Sequence, residues 1–167
     1  MLYGEGWNMP TLYDKPLANI QNNHLMPEIG HFNDYVRNNL KLLNLHGLFE
    51  ENILPLEKSI NYVECHDDET LFDLMGYEKS KLITTLLILT PGTLFLHAGQ
   101  EFFRTKKGIR NTYCSPDYIN ALDWERQSEH LDYVEHIKQL IQLRKIHNCF
   151  KNYTYKVTDH ELLITGE

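Results

Sequence analysis

The sequence predicts an α/β fold in which a parallel sheet is covered by helices, either doubly wound or part of a barrel. Three observations carry this reading. Short strand-like runs alternate with runs of helical period, polar clusters stand where the strand-like runs end, and the tail changes abruptly to a β pattern.

The opening, Leu2 to Trp7, is rich in glycine and aromatics and has no helical period, as expected where a strand passes into a functional loop. A short strand is predicted at Ile29 to Phe32. Asn33 then suits the cap of a helix over Asp34 to Leu43, where Val36, Leu40 and Leu43 recur at helical spacing. The run Ile60 to Cys65 is the next strand candidate, closed by His66-Asp67-Asp68-Glu69. Glu78 to Thr90 reads as a helix stopped by Pro91-Gly92, although the β-branched Ile83, Thr84, Thr85 and Ile88 oppose it. A third strand, Thr93 to His97, leads into a long polar and aromatic loop from Ala98 to about Asp123. The last helix is predicted from Leu131 to His147 on an apolar face that includes Val134, Ile137 and Ile141. The tail reads as a hairpin, Tyr153 to Val157 and Leu162 to Thr165 around Asp159-His160. No internal repeat or low-complexity tract interrupts the chain.

The chain has 167 residues, 42% of them hydrophobic, which suffices for the core of one domain. Its 16 basic against 23 acidic residues give a net charge of -7 with no basic run, which argues against nucleic acid as a partner. No stretch approaches the ~20 apolar residues of a membrane helix. The first residues have neither the basic nor the apolar region of a secretory signal. Cys65, Cys114 and Cys149 are odd in number and widely spaced, as expected of structural thiols in a reducing compartment. A soluble, cytoplasmic chain is the expectation.

Four polar clusters sit at predicted strand ends: Glu5 with Trp7, Asn33 with Asp34, His66 with Asp67, and His97 with Gln100 and Glu101. Ligands of α/β sheets and barrels bind at the carboxyl ends of the strands, so four such ends in order argue for one shared site. Each cluster taken alone is equally explained by helix capping and loop solvation. A metal site built on His66, Asp67, His97 and Glu101 is the weaker alternative, because Gly99 interrupts the spacing from His97 to Glu101. Cys65 and His66 are adjacent on a strand and point to opposite faces, which argues against a thiol nucleophile pair.

The blocks Tyr3-Gly4-Glu5-Gly6-Trp7, Met26 to Asp34, and Asn61-Tyr62-Val63-Glu64-Cys65-His66-Asp67 resemble, in order, three successive strand ends of type I pullulanases, within the α-amylase family of glycoside hydrolases. The longest match, His97 to Lys106 with Asn111 to Arg126, is similar to the eighth strand and following loop of that family. The resemblance implies part of a (β/α)8 TIM barrel, about strands 5 to 8, over residues 1–150, and the start of an all-β sandwich domain over 151–167. It also implies retaining cleavage of α-1,6-glucosidic branch linkages in α-glucans, with an α-glucan as partner and neither cofactor nor metal.

Retaining hydrolysis needs a carboxylic acid at the leaving oxygen and a second carboxylate about 5 Å away to attack the anomeric carbon. The resemblance makes Glu5 the general acid and base, with burial beside Trp7 expected to keep it protonated. It makes Asp67 the stabiliser of the transition state, and His66 and Trp7 substrate-binding residues. Tyr3, Phe102, Tyr113 and Trp124 offer further rings on which a sugar face can stack.

Three departures from the family pattern qualify this. The nucleophilic aspartate, two residues after an arginine, belongs ahead of Tyr3-Gly4-Glu5, and no such block is present. Phe72 to Gly76 resembles it only superficially, since Leu71 stands where arginine belongs, and Asp73 is expected to start the helix after the seventh strand. Asp68 replaces an expected asparagine and Glu69 adds a charge, which should raise local pKa values. The connection from Lys41 to Ser59 is also short. The expectation is therefore a fragment, whether remnant, truncated frame or split piece, that is inactive alone and presents an apolar inner face to a missing N-terminal half. The alternative is a non-catalytic α-glucan-binding remnant using Trp7, His66 and Asp67.

Overall fold

The computed structural model describes residues 2–7, 20–50, 54–147, 150–151, 153–158 and 161–166. Four short strands, β1 (Leu2–Gly4), β2 (Ile29–Phe32), β3 (Ser59–Asn61) and β4 (Thr93–Leu94), form one sheet in the order β1-β2-β3-β4. Every neighbouring pair is parallel, with Gly4 opposite His31, Phe32 opposite Ile60 and Ile60 opposite Thr93. A doubly wound sheet reverses its order at a switch point, and these four strands have none. Each unit adds to the same side of the last, so all four carboxyl ends lie along one edge.

The intervening elements are α1 (Asp34–Leu42), α2 (Leu45–Glu50) and α3 (Leu71–Leu89). After β4 come α4 (Asp117–Asn120), α5 (Trp124–Glu129) and α6 (Leu131–Ile146). Asn33 caps α1 through its side-chain oxygen on the amides of Tyr35 and Val36, while its Nδ2 donates to Ser59 Oγ at 2.8 Å. One asparagine thus starts the helix and pins it to β3. Leu43 takes the left-handed conformation that ends α1, one residue earlier than predicted.

The third helix departs most from expectation. It begins at Leu71 on a Thr70 cap, not at Glu78 where the periodicity put it, and Asp73 lies in its first turn as expected; a break at Gly76, whose φ of 70° is non-helical, separates that turn from the rest. The predicted strands Ile60–Cys65 and Thr93–His97 are also shorter than their apolar runs, since Tyr62 and Phe95 onward continue buried or half-buried outside the ladder.

Val63, Leu94 and Leu96 face the helices and share a core with Val36, Leu40, Leu71, Ile83 and Leu87. The same leucines meet a second cluster of Ile88, Phe103, Tyr133 and Ile137, which seats α6. Arg144 of α6 locks this seat by donating to the carbonyls of Ile88 and Thr90, both at 2.7 Å. On the other face, Phe32 packs edge-on against Tyr62 and Phe95, with ring centroids 5.0 and 5.2 Å apart. Strand alternation places Tyr3 and Ile60 on that face too. Tyr3 is exposed, and Phe32 and Phe95 are half-buried.

The Lys41 to Ser59 connection holds α2 and a short 3-10 turn, Leu56–Lys58. The tail forms an antiparallel hairpin, β5 (Tyr153–Val157) with β6 (Leu162–Gly166), held to α2 by stacking of Tyr155 on Phe49 at 4.3 Å. Its predicted turn residues Asp159 and His160, like Cys149, lie outside the described residues.

Candidate active site

At the end of β1 the chain turns through Gly6, whose φ is +73° and where an added Cβ would lie 2.7 Å from His31 Nδ1. Only glycine satisfies both the backbone angle and this approach. The turn leaves Glu5 exposed and Trp7 half-buried. The burial of Glu5 expected from the sequence is not found, since the residue is exposed in this chain. The layer beneath is buried instead: His31 is almost wholly enclosed, and burial, reinforced by the Lys58 ammonium, holds its imidazole below the ordinary histidine range.

At the end of β2, Asn33 serves as the cap described above. Asp34 accepts the Tyr62 hydroxyl and pairs with Arg37 at 3.2 Å, and Arg37 also donates to Tyr62 at 2.6 Å. Burial and this carboxylate push the Tyr62 phenol well above its ordinary range. The second polar cluster is thus a structural one.

Beyond β3, His66 and Asp67 stand out from the surface with side chains 80% and 51% exposed, and His66 Nε2 lies 3.5 Å from Asp67 Oδ1. Asp68 follows with φ at 55°, a left-handed position that asparagine and aspartate tolerate better than most residues. Its charge is met: Arg110 reaches Asp68 Oδ1 at 2.7 Å and Glu69 Oε2 at 3.3 Å. Hydrogen bonding to Arg110 holds the Asp68 carboxyl below its ordinary value, the reverse of the rise expected from crowded acids.

Beneath this loop lies a network the sequence reading did not assign. Glu64, 4% exposed, accepts the Leu71 amide on one oxygen and meets His97 Nδ1 at 3.0 Å with the other. His97 Nε2 lies 3.2 Å from Arg104, whose guanidinium also donates to the carbonyl of Asn120 at 2.7 Å. An ionised carboxylate only accepts and a guanidinium only donates, so these partners assign the proton to Nδ1. His97 is therefore engaged as a strut between the loops after β3 and β4.

Glu101 turns back onto the Gly99 amide at 3.0 Å, and Gln100 donates to Thr84 at 2.9 Å. Among the described residues, no group of three or more His, Cys, Asp or Glu side chains is placed to hold a metal ion. Cys65 sits beside the Asp67 carbonyl, 3.9 Å away, and burial pushes its thiol up. Burial alone would also raise the Asp73 carboxyl. Hydrogen bonds from Thr105, the Lys106 and Gly108 amides and Thr70 outweigh it and hold the group below its ordinary value. Of the other aromatics, Phe102 is core, whereas Tyr3, Tyr113 and Trp124 are exposed.

One sheet edge therefore carries Glu5 after β1 and His66 with Asp67 after β3. Adjacent strands are about 4.8 Å apart, so the lines of β1 and β3 are separated by roughly 10 Å, a span that one sugar ring and its linkage can bridge.

No family model matches the chain. It is 35% identical to a pullulanase of Bacillus subtilis (strain 168) over 190 aligned positions, covering 90% of this chain and 26% of that protein. Its fold is similar to a pullulanase of Anoxybacillus sp. LM18-11 complexed with maltotetraose, with a TM-score of 0.82 and 31% identity over 95% of this chain and 29% of that one. A type I pullulanase of Bacillus subtilis str. 168 complexed with maltose matches with a TM-score of 0.81 and 30% identity, over 94% of this chain and 29% of its own. The chain thus spans about a quarter of the length of its curated relative.

Proposed function

Because the chain is a relative of the type I pullulanases and matches a segment of them, we propose that it supplies about strands 5 to 8 of a (β/α)8 barrel that cleaves α-1,6-glucosidic branch linkages in α-glucans with retention. The observation that carries the reading is the singly wound parallel sheet, with Glu5 after its first strand and His66 and Asp67 after its third, all on one edge. Active sites of such barrels occupy that edge.

In this reading Glu5 protonates the leaving oxygen and then activates water, and Asp67 strengthens its hydrogen bonds to the sugar hydroxyls as the ring flattens toward an oxocarbenium ion. His66 and Trp7 position the same ring. Glu5 is exposed here, and on this reading the bound glucan and the remaining strands cover it in the complete barrel. The maltotetraose and maltose bound by the two structural relatives make an α-glucan the expected partner.

The 167 residues contain no aspartate two positions after an arginine. These 167 residues then supply no attacking carboxylate and no turnover of their own, and the barrel is complete only with an N-terminal half that lies outside them. Residues 151–167 belong, on this reading, to a following β-sandwich domain, and the setting is cytoplasmic. A reducing-sugar assay on pullulan tests the catalytic statement. Turnover by the purified chain that disappears in Glu5→Gln would overturn the claim of inactivity.

The exposure of His66 and Asp67 favours a second reading, a non-catalytic α-glucan-binding chain. Calorimetry with maltotriose separates the two. Binding without turnover supports this second reading, and no heat at millimolar sugar removes it.

A further inference from the structure

The loop that presents His66 and Asp67 is held by residues distant in sequence. Lys106 is 1% exposed, and its ammonium donates to the carbonyls of His66 and Arg110, both at 2.8 Å. A buried ammonium is strongly unfavourable unless acceptors meet it, so the two carbonyls and the ammonium hold one another in place. The His66 carbonyl belongs to the peptide that leads into Asp67. Holding that peptide plane restrains the backbone from which the Asp67 side chain leaves.

The same segment grips the loop at two further points. Arg110 spans Asp68 and Glu69 as described above. At the far end Asp73, in the first turn of α3, accepts the Lys106 amide at 2.7 Å on one oxygen and the Thr105 hydroxyl on the other. Residues 66–73 are thus clasped at the start, middle and end by residues 105–110. The exposed Arg110 pairs are weak individually. The enclosed Lys106 contact is the firm one.

We infer that Lys106 is a positioning residue for Asp67, acting through the His66 peptide. The inference rests on the proposed glucan site for its purpose, but its geometry can be tested without sugar. A carboxylate that binds more strongly in the transition state works only when held to a fraction of an ångström, and this clasp restrains the backbone on both sides of Asp67.

The test uses the full chain with Lys106→Met, which keeps the aliphatic stem and removes the donors. Amide NMR and hydrogen exchange should show the Asp67 and Asp68 signals displaced and exchanging about tenfold faster, with the methyl signals of Val36 and Leu87 unchanged. Thr105→Val, which removes one contact to Asp73, should give a smaller change in the same signals and serves if the first variant does not fold. Loop signals identical to the parent in the folded variants overturn the inference. So does a displacement shared equally by the core methyls, because a merely structural lysine would act that way. Maltotriose affinity, where the parent binds, should fall about tenfold in Lys106→Met. Failure of the parent to bind maltotriose counts against the glucan site alone, since the sugar-free spectra decide the clasp.

Discussion

At the scale of single residues, the two groups that shape the Glu5 turn are Gly6 and the buried His31. Gly6→Ala forces a side chain into a left-handed backbone and against the imidazole, and should lower unfolding stability by about 1–3 kcal/mol, measured by urea denaturation. His31 makes a claim about pH. Its folded pKa is depressed, so below the unfolded value of about 6.5 the unfolded chain binds more protons than the native one. The stability it contributes is complete above about pH 6.5 and is lost as pH falls toward the depressed value. His31→Leu should flatten the stability profile over that acid range relative to the parent, and parallel profiles would contradict the assignment. The types and order of Glu5, Trp7, His66 and Asp67 were readable in the sequence because each stands at a strand end. The exposure of Glu5 was not, since it depends on what covers the end of β1, an outer strand of this sheet, and no local pattern encodes that.

At the scale of elements, the Asn33 cap joins α1 to β3, and Asn33→Ala should remove about 1–2 kcal/mol by loss of the cap and of the Ser59 contact. Chemical denaturation with an unchanged m-value checks it. The helices α1 and α6 and the β5–β6 hairpin were legible because caps and periodicity are local signals. Periodicity alone put the start of α3 too late because Gly76 breaks its angles, although Asp73 was expected at its start, and β3 and β4 were drawn too long because buried extended chain has the same apolar pattern as paired strand. The Glu64–His97 strut and the Lys106 contact join residues 33 and 40 positions apart, so no window of sequence marks them. A buried lysine between polar neighbours looks, in sequence, like any loop lysine.

At the scale of the molecule, four parallel strands carry helices on the face of Val63, Leu94 and Leu96, while Tyr3, Phe32 and Phe95 remain exposed or half-buried on the other. The sequential strand order, legible in the order of the four blocks, is what aligns the strand ends. An apolar sheet face of this kind, with β1 and β4 as its outer strands among the described residues, predicts concentration-dependent self-association, read by sedimentation as mass above 19.7 kDa. A strictly monomeric chain at high concentration would show that the face is covered. The central claim is that Glu5, Trp7, His66 and Asp67 belong to one glucan site, and titrating the labelled chain with maltotriose while following its amide and indole signals tests it most directly. The account predicts that signals from all four residues move together along one binding curve. Movement at His66 and Asp67 with Glu5 and Trp7 silent, or no movement at millimolar sugar, would contradict it.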